Sequence, residues 1–263
     1  MGLWGAVGDR RRENSCEVDF FDRYNAHFVD KFYLPTVGSR VVYYRSLRRI
    51  IELARVRAGD RVIDLGCGTG LLLKGVDDVG ASLVGIDTAE SMLALALKEL
   101  SRNAALVRAG GEQAPFADAT FDVALSRAVI QHVASPRTYL AEAWRILKPG
   151  GRLVLFTPFT NWAVALPRRL SLRLVPERRV VAGRLYTRRF FLDAARAAGF
   201  AIARAVTFGF VFYPLSGYGT GISLPIRDPW FWERALTVDE MLVRLPSLAR
   251  LANNLLLEAD KPA

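Results

Sequence analysis

The sequence predicts an α/β protein with a doubly wound, mostly parallel sheet of seven strands, and three observations predict it. Arg61 to Gly70 reads Arg-Val-Ile-Asp-Leu-Gly-Cys-Gly-Thr-Gly, an aliphatic and β-branched run that breaks into glycines at 66, 68 and 70 before a helical pattern opens at Leu71. Short apolar runs then alternate with helical patterns, as successive strand–helix–strand units require. The second apolar run ends in an acid, Asp87, 21 residues after Gly66. A chain of 263 residues with 51% apolar content is long enough for one large core of this kind.

Residues 17–57 read as two helices broken at Pro35, the first carrying Val18, Phe21, Tyr24, Phe28 and Phe32 near one face and the second running from about 40 to 57. The strand at 61–65 and its glycine turn lead into a helix over 71–78. A second strand at 81–86 ends at Asp87, and a helix over 89–101 leads to a third strand at 104–107. Phe121 to Leu125 is the fourth strand, with Ser126 and Arg127 at its carboxyl end. Ser135-Pro136 starts a helix that ends at Leu147, and Lys148-Pro149-Gly150-Gly151 turns into a fifth strand over 152–156. A helix over 186–198 stopped by Gly199, a sixth strand at 200–206 and a seventh within 254–262 complete the pattern. Residues 207–252 are therefore an insertion between the last two strands, rich in aromatic residues and uncharged from Ala205 to Ile226. Its glycines and prolines argue against a lipid-exposed helix and for a hydrophobic lid. Three parts follow: an N-terminal helical lid segment at 1–57; a core at 58–206 and 253–263, with a basic helical stretch at 161–184; and the inserted lid at 207–252.

The glycine turn carries the first functional signal. Glycines at 66 and 68 permit positive φ and let a ligand lie against bare main chain, while the following helix turns free N–H groups toward the same crevice. Asp64 adds a carboxylate at the carboxyl end of the strand, where open α/β sheets bind ligands. A Walker phosphate loop is excluded, because Leu71 and Leu72 stand where Lys and Ser or Thr would follow. Asp87 is placed to accept both hydroxyls of a ribose, and it equally suits the cap of the helix that starts near Ala89.

The formal charge is +10, of which residues 161–263 carry +7, from 15 bases against 8 acids. Arg168, Arg169, Arg173, Arg178, Arg179, Arg184, Arg188 and Arg189 share 22 residues with a single acid, Glu177. Such a cluster suits phosphate-bearing partners, and an anionic membrane surface is one of them; the arginine usage of a GC-rich genome would give the same count. Two cysteines make no disulfide framework and the first residues hold no apolar leader core, so a reduced cytoplasmic setting is expected, peripheral to the membrane if the basic flank is used.

Val-Ile-Asp-Leu-Gly-Cys-Gly-Thr-Gly resembles the first motif of the class I S-adenosylmethionine-dependent methyltransferases, and the resemblance extends to the ubiquinone and menaquinone methyltransferase-like branch. It runs from Arg61 to Pro158 through Asp87, Pro115-Phe116, Phe121 to Ser126 and Lys148-Pro149-Gly150-Gly151. It implies a Rossmann-like methyltransferase fold with S-adenosyl-L-methionine as cofactor and no metal. By resemblance Asp64, Gly66, Cys67 and Gly68 seat the amino-acid part, Asp87 the ribose, and Met92, Gly111 and Glu112 the adenine. Ser126 lines the methionine portion. Gly110 stands where similar enzymes have an Asp for the adenine amino group, so that contact departs from the pattern. Tyr24, Arg127 and Tyr213 are candidate substrate-lid residues. His132, with an ordinary pKa near ~6.5, is the candidate general base.

These readings point to methyl transfer onto a small apolar acceptor (a lipid, quinone or secondary metabolite) at oxygen or carbon. After the fourth strand stands Ser126-Arg127-Ala128-Val129 rather than an Asn-Pro-Pro-Tyr type motif, which argues against methylation of a nucleic-acid base. A nicotinamide-dependent oxidoreductase and a non-catalytic cofactor-binding scaffold are the alternatives.

Overall fold

A computed structural model describes residues 34–100, 104–161, 184, 186–216 and 223–263. Tyr24, and the basic stretch at 161–184 apart from Asn161 and Arg184, lie outside these residues. The strands are β1 (Arg61–Leu65), β2 (Ser82–Asp87), β3 (Ala104–Arg108), β4 (Phe121–Arg127), β5 (Leu147–Pro158), β6 (Ala201–Phe208) and β7 (Asn254–Asp260). They form one open sheet in the order β3-β2-β1-β4-β5-β7-β6. The first five pair in parallel, and β7 enters antiparallel between β5 and β6.

The strand sequences explain why the parallel part is central. In β1 only Arg61 is exposed, and Val62 to Leu65 are buried on both faces, the pattern of a strand covered by helices above and below. One face packs α4 (Pro136–Ile146) and α5 (Arg188–Ala197) through Tyr139, Leu140, Ala143, Phe191 and Ala195. The other packs α1 (Val37–Ala54) and α2 (Leu71–Lys74) through Val42, Leu47, Ile50 and Leu73. The chain winds outward from β1 to β3, then restarts at β4 on the other side of β1. The carboxyl ends of β1 and β4 thus flank the point where the winding reverses, the place where open α/β sheets bind their ligands.

Local chemistry sets the element ends. Thr36 and Ser39 form a reciprocal capping box, which starts α1 three residues before the expected 40. The helix expected over 71–78 stops at Lys74, because Gly75 breaks it where α1 crosses. A Cβ there would lie 2.2 Å from Ile51 Cδ1. A single 3-10 turn, Asp77–Val79, and Gly80 at φ 82° then feed β2. β3, an edge strand of the sheet, begins at the expected Ala104. β5 is longer than expected because Lys148 to Gly151 are taken up into it as a register shift opposite β4, with Lys148 Nζ 2.8 Å from both Asp122 oxygens.

Between β6 and β7 the chain forms α6 (Phe212–Leu215), α7 (Pro229–Leu242) and α8 (Pro246–Ala249). Helix α7 starts at the capping carboxylate of Asp228 and lies against α1. Trp232, fully buried, fills the space over Gly38, where a Cβ would come within 2.6 Å of the indole, and its Nε1 donates to the Ile226 carbonyl at 3.0 Å. Around this contact Arg45 reaches Glu233 at 2.5 Å and both oxygens of Glu240 at 3.0 and 3.1 Å, and Arg49 pairs with Glu240 as well. Among the described residues no helix is long and apolar enough to cross a membrane.

Trp232→Ala should destabilise the protein by about 3–5 kcal/mol through the cavity it leaves. Urea unfolding measures this; a loss below ~1 kcal/mol would mean that α7 is not part of the cooperative unit.

Candidate functional site

The turn after β1 is built by β2. The amides of Gly66 and Cys67 both donate to the Ile86 carbonyl, at 2.8 and 2.9 Å. The amide of Gly68 donates to Asp87 Oδ2 at 2.8 Å, and Asp87 Oδ1 accepts from the Ala89 amide at 2.9 Å. Asp87 thus supports the start of α3 (Glu90–Glu99) and also fixes the glycine turn, a second task that its sequence position did not reveal. Gly66, Gly68 and Gly70 all have positive φ, at 84°, 51° and 79°. A Cβ at Gly66 would sit 2.4 Å from Val129 Cγ2, whereas one at Gly68 would meet nothing within 4 Å. Gly66 is therefore a packing requirement, and Gly68 borders open space.

Asp64 lies beneath this turn and is 1% exposed; its Oδ1 has no hydrogen-bond partner among the described residues. Burial pushes its carboxyl up to about 8, the charge of Asp87 adds to the rise, and Arg127 opposes it. Burial also raises the Cys67 thiol, which removes it from nucleophilic chemistry.

The loop that follows β4 forms the facing wall. Ala128 takes a left-handed backbone at φ 56°, a strained choice for a residue with a Cβ, while its amide donates to the Phe156 carbonyl at 2.8 Å. Gln131, 1% exposed, donates to the Ala128 carbonyl and accepts from Thr157 Oγ1. His132 sits on this loop, its amide donating to the Val129 carbonyl at 2.8 Å. Glu112 accepts from the amides of Ala134 and Ser135 at 3.0 and 2.7 Å, so both of its oxygens hold this loop. Gly111 lies under the ring of Tyr139, 2.4 Å from where its Cβ would be. Ser126, fully buried, hydrogen-bonds Tyr139 Oη at 2.7 Å, and that hydroxyl donates to the Leu65 carbonyl at 2.9 Å. These three expected contact residues thus have structural tasks: Ser126 sits behind the crevice wall, Gly111 against a ring and Glu112 on a neighbouring loop. Met92 is buried on α3. Tyr213 is buried in α6, edge-on to Phe208, on the α1 side of the sheet.

Arg127 ends β4 half-buried, its guanidinium 3.9 Å from the centre of the Tyr43 ring and its Nε donating to Ser46 Oγ at 3.2 Å. Tyr43 and Ser46 thus connect α1 to the site. Their only trace in the sequence is helical spacing, which does not distinguish a core face from a site face. The crevice offers an unpartnered buried carboxylate, an open glycine and a carboxylate on the next strand. That donor set fits a nucleoside bearing a cationic group.

Comparison with known proteins agrees with this geometry. Residues 63–155 match the family model described as a methyltransferase domain. The chain is 33% identical over 210 residues to a ubiquinone biosynthesis O-methyltransferase of Ruegeria pomeroyi, covering 77% of each chain. The chain belongs to the class I S-adenosylmethionine-dependent methyltransferases. A demethylmenaquinone methyltransferase of Tropheryma whipplei is 36% identical over 109 residues, which is 41% of this chain and 46% of that one, so the chain spans about half the length of that relative. Among solved structures, a geranyl diphosphate methyltransferase with its substrate and sinefungin superposes with a TM-score of 0.68 at 14% identity over 95% of this chain and 99% of that one. A geranyl diphosphate C-methyltransferase from Streptomyces coelicolor A3(2) gives 0.61 at 15% identity over 83% and 79%. At these identities the likeness is one of fold. For this methyltransferase S-adenosylmethionine is the cofactor, and the nicotinamide reading falls away.

Two outcomes test the site. Asp64 binds its proton more tightly when folded than the ordinary value of 3.8, so its ionisation opposes folding as pH rises from about 4 to about 8. Asp64→Asn should therefore gain thermal stability relative to the parent between pH 5 and pH 8.5 in the ligand-free protein; a pH-independent difference would place Asp64 in water. Asp87→Ala should weaken S-adenosylhomocysteine binding by about 1–3 kcal/mol in calorimetry, and unchanged affinity would leave Asp87 only its cap.

Proposed function

We propose that this methyltransferase acts on a small apolar acceptor of quinone or lipid character, at oxygen or carbon, in the cytoplasm and at the membrane surface. The observation that carries the reading is the crevice between β1 and β4, where the open Gly68 and the orphaned Asp64 oxygen face a loop bearing His132. Support for the acceptor class comes from the quinone-pathway relative that matches most of the chain, and from the aromatic, largely uncharged segment that follows β6.

In this reading Asp64 and the main chain at 66–68 hold the amino-acid part of the cofactor, with Cys67 packed behind, and Asp87 holds its ribose. Met92 and the stretch at 110–112 border the adenine, with Gly110 leaving that end open and Glu112 and Ser126 acting as positioning residues. The cofactor brings a methyl group already activated on sulfonium, so the protein's part is alignment and exclusion of water. Asp64 sits buried where a cationic group would stabilise its ionised form, which makes it a charge-recognising residue. His132 would take the proton of an acceptor hydroxyl or acidic carbon. Arg127, backed by Tyr43, and Tyr213 would border the acceptor from the α1 side, and Tyr24 and the parts 1–57 and 207–252 would close over it. The basic stretch at 161–184 would add contacts to anionic lipid.

Methyl transfer from labelled S-adenosylmethionine to demethylated quinone analogues tests the assignment, and a panel that accepts only polar amines would overturn it. Within the active assay, His132→Gln should lower kcat by about 10²–10⁴ with S-adenosylhomocysteine affinity unchanged. An unchanged kcat would remove the base role.

A further inference from the structure

Helix α7 has two unlike sides. Trp232, Ala235, Leu236 and Asp239 are buried against the rest of the molecule. The opposite side shows Trp230 at 73% exposure, Val238 at 47% and Met241 at 59%, and the stripe continues past the helix end to Leu245. Positions 230, 234, 238, 241 and 245 recur at intervals of three and four, so they line one face. Single exposed apolar residues need no explanation, but four in line, including a tryptophan, do.

The charges along the same stretch are one-sided. From 227 to 250 the exposed ionisable residues are Arg227, Asp228, Arg234, Arg244 and Arg250. The one exposed acid, Asp228, is engaged with the amides of Trp230 and Phe231 as the helix cap. The remaining acids are engaged: Glu233 pairs with Arg45 and Glu240 with Arg45 and Arg49 of α1, and Asp239 accepts from the amides of Phe210 and Val211. The outer face is therefore apolar side chains with Arg234 and Arg244 along it and Arg227 just before its start, while the acids of the stretch are engaged as a cap or in pairs.

We propose that this face docks on an anionic phospholipid surface. Trp230, Met241 and Leu245 enter the interface, and Arg227, Arg234 and Arg244 meet lipid phosphates. An amphipathic helix lying in the interfacial plane has this composition, with an indole at headgroup depth and arginines whose stems lie along apolar surface. Charge complementarity selects an anionic bilayer over a second copy of the chain, since stacking two such faces would bring six arginines together. The buried side of α7 packs on α1, whose Tyr43 and Ser46 contact Arg127, so one helix pair separates the docked face from the site. The proposal rests on the apolar-acceptor reading only for its purpose, and membrane binding can be measured without any acceptor.

The test is sedimentation of the intact chain with vesicles of phosphatidylcholine alone and of phosphatidylcholine containing phosphatidylglycerol. Retention on the anionic vesicles, reversed by high salt, is expected. Arg234→Gln with Arg244→Gln should weaken it about thirtyfold, and Trp230→Ser with Met241→Ser at least about tenfold; S-adenosylhomocysteine binding, read by calorimetry, stays unchanged in both as the check on folding. No retention of the parent protein would overturn the proposal. So would equal retention of the variants, or a stripe variant that turns a self-associating protein monomeric without altering retention. Vesicle binding by a protein that methylates no apolar acceptor would overturn the functional reading and leave this one standing.

Discussion

The site depends on one constraint: the amides of Gly66, Cys67 and Gly68 in the turn after β1 must find acceptors, and β2 supplies all three. Ile86 offers one carbonyl to two amides, and Asp87 offers a carboxylate to the third. The turn is thereby fixed with Asp87 as the one side chain that bonds it from β2, and no Cβ covers Gly68, which leaves its main chain bare to a ligand. Asp64 is the exception that this economy creates. It is buried with one oxygen unsatisfied, a state that stable cores avoid and functional sites retain. Its raised pKa and its geometry point the same way, since both describe a carboxylate awaiting a positive partner.

The opposite wall is held by a different device. Ala128 occupies a backbone region that costs an L-residue about 1–2 kcal/mol, and the surrounding bonds outweigh it: Ala128 to Phe156, Gln131 to Ala128 and Thr157, and Glu112 to Ala134 and Ser135. Tyr139 reaches through from α4 to tie Leu65 of one wall to Ser126 of the other. Two parallel strands that share no loop are thus joined at their carboxyl ends, and the width of the crevice is set by hydrogen bonds rather than by packing alone.

How much of this was legible follows from the range of each signal. The succession of strands and helices and the glycine turn are local patterns of period and φ requirement, and residues 61–70 declare one strand, its turn and the start of a helix. Asp87 was legible as an acid at a strand tip, but its bond to the Gly68 amide depends on register between β1 and β2, which the sequence does not print. Glu112 shows the same limit: an acid near the adenine-side loop reads as a contact, and only the fold brings it within reach of Ala134 and Ser135. Gly111 reads by resemblance as an adenine contact, yet its smallness answers to the Tyr139 ring, 28 residues away. Tyr43 and Ser46 were invisible because a helical face carries no label for the partner it meets. The short α2 was misjudged because Gly75 stops it for the sake of Ile51, a contact between helices.

Helix α1 joins the core, the site and the outer helix α7. Val42, Leu47 and Ile50 bury in the sheet, Tyr43 and Ser46 back Arg127 at the site, and Arg45 and Arg49 grip Glu233 and Glu240 of α7. Arg45 is only 14% exposed, with two carboxylates around it. Removing either helix would therefore leave charges in a half-dry interface, a larger loss than a surface pair could cause. The segment between β6 and β7 is consequently bound to the helix that supports Arg127, and a displacement of α7 would have to either break those pairs or carry α1 with it. Arg127 in turn lowers the cost of charge on Asp64. A chain of direct contacts therefore runs from the outer helix to the buried carboxylate, each link a named pair, and whatever seats α7 also sets the electrostatics of the crevice floor.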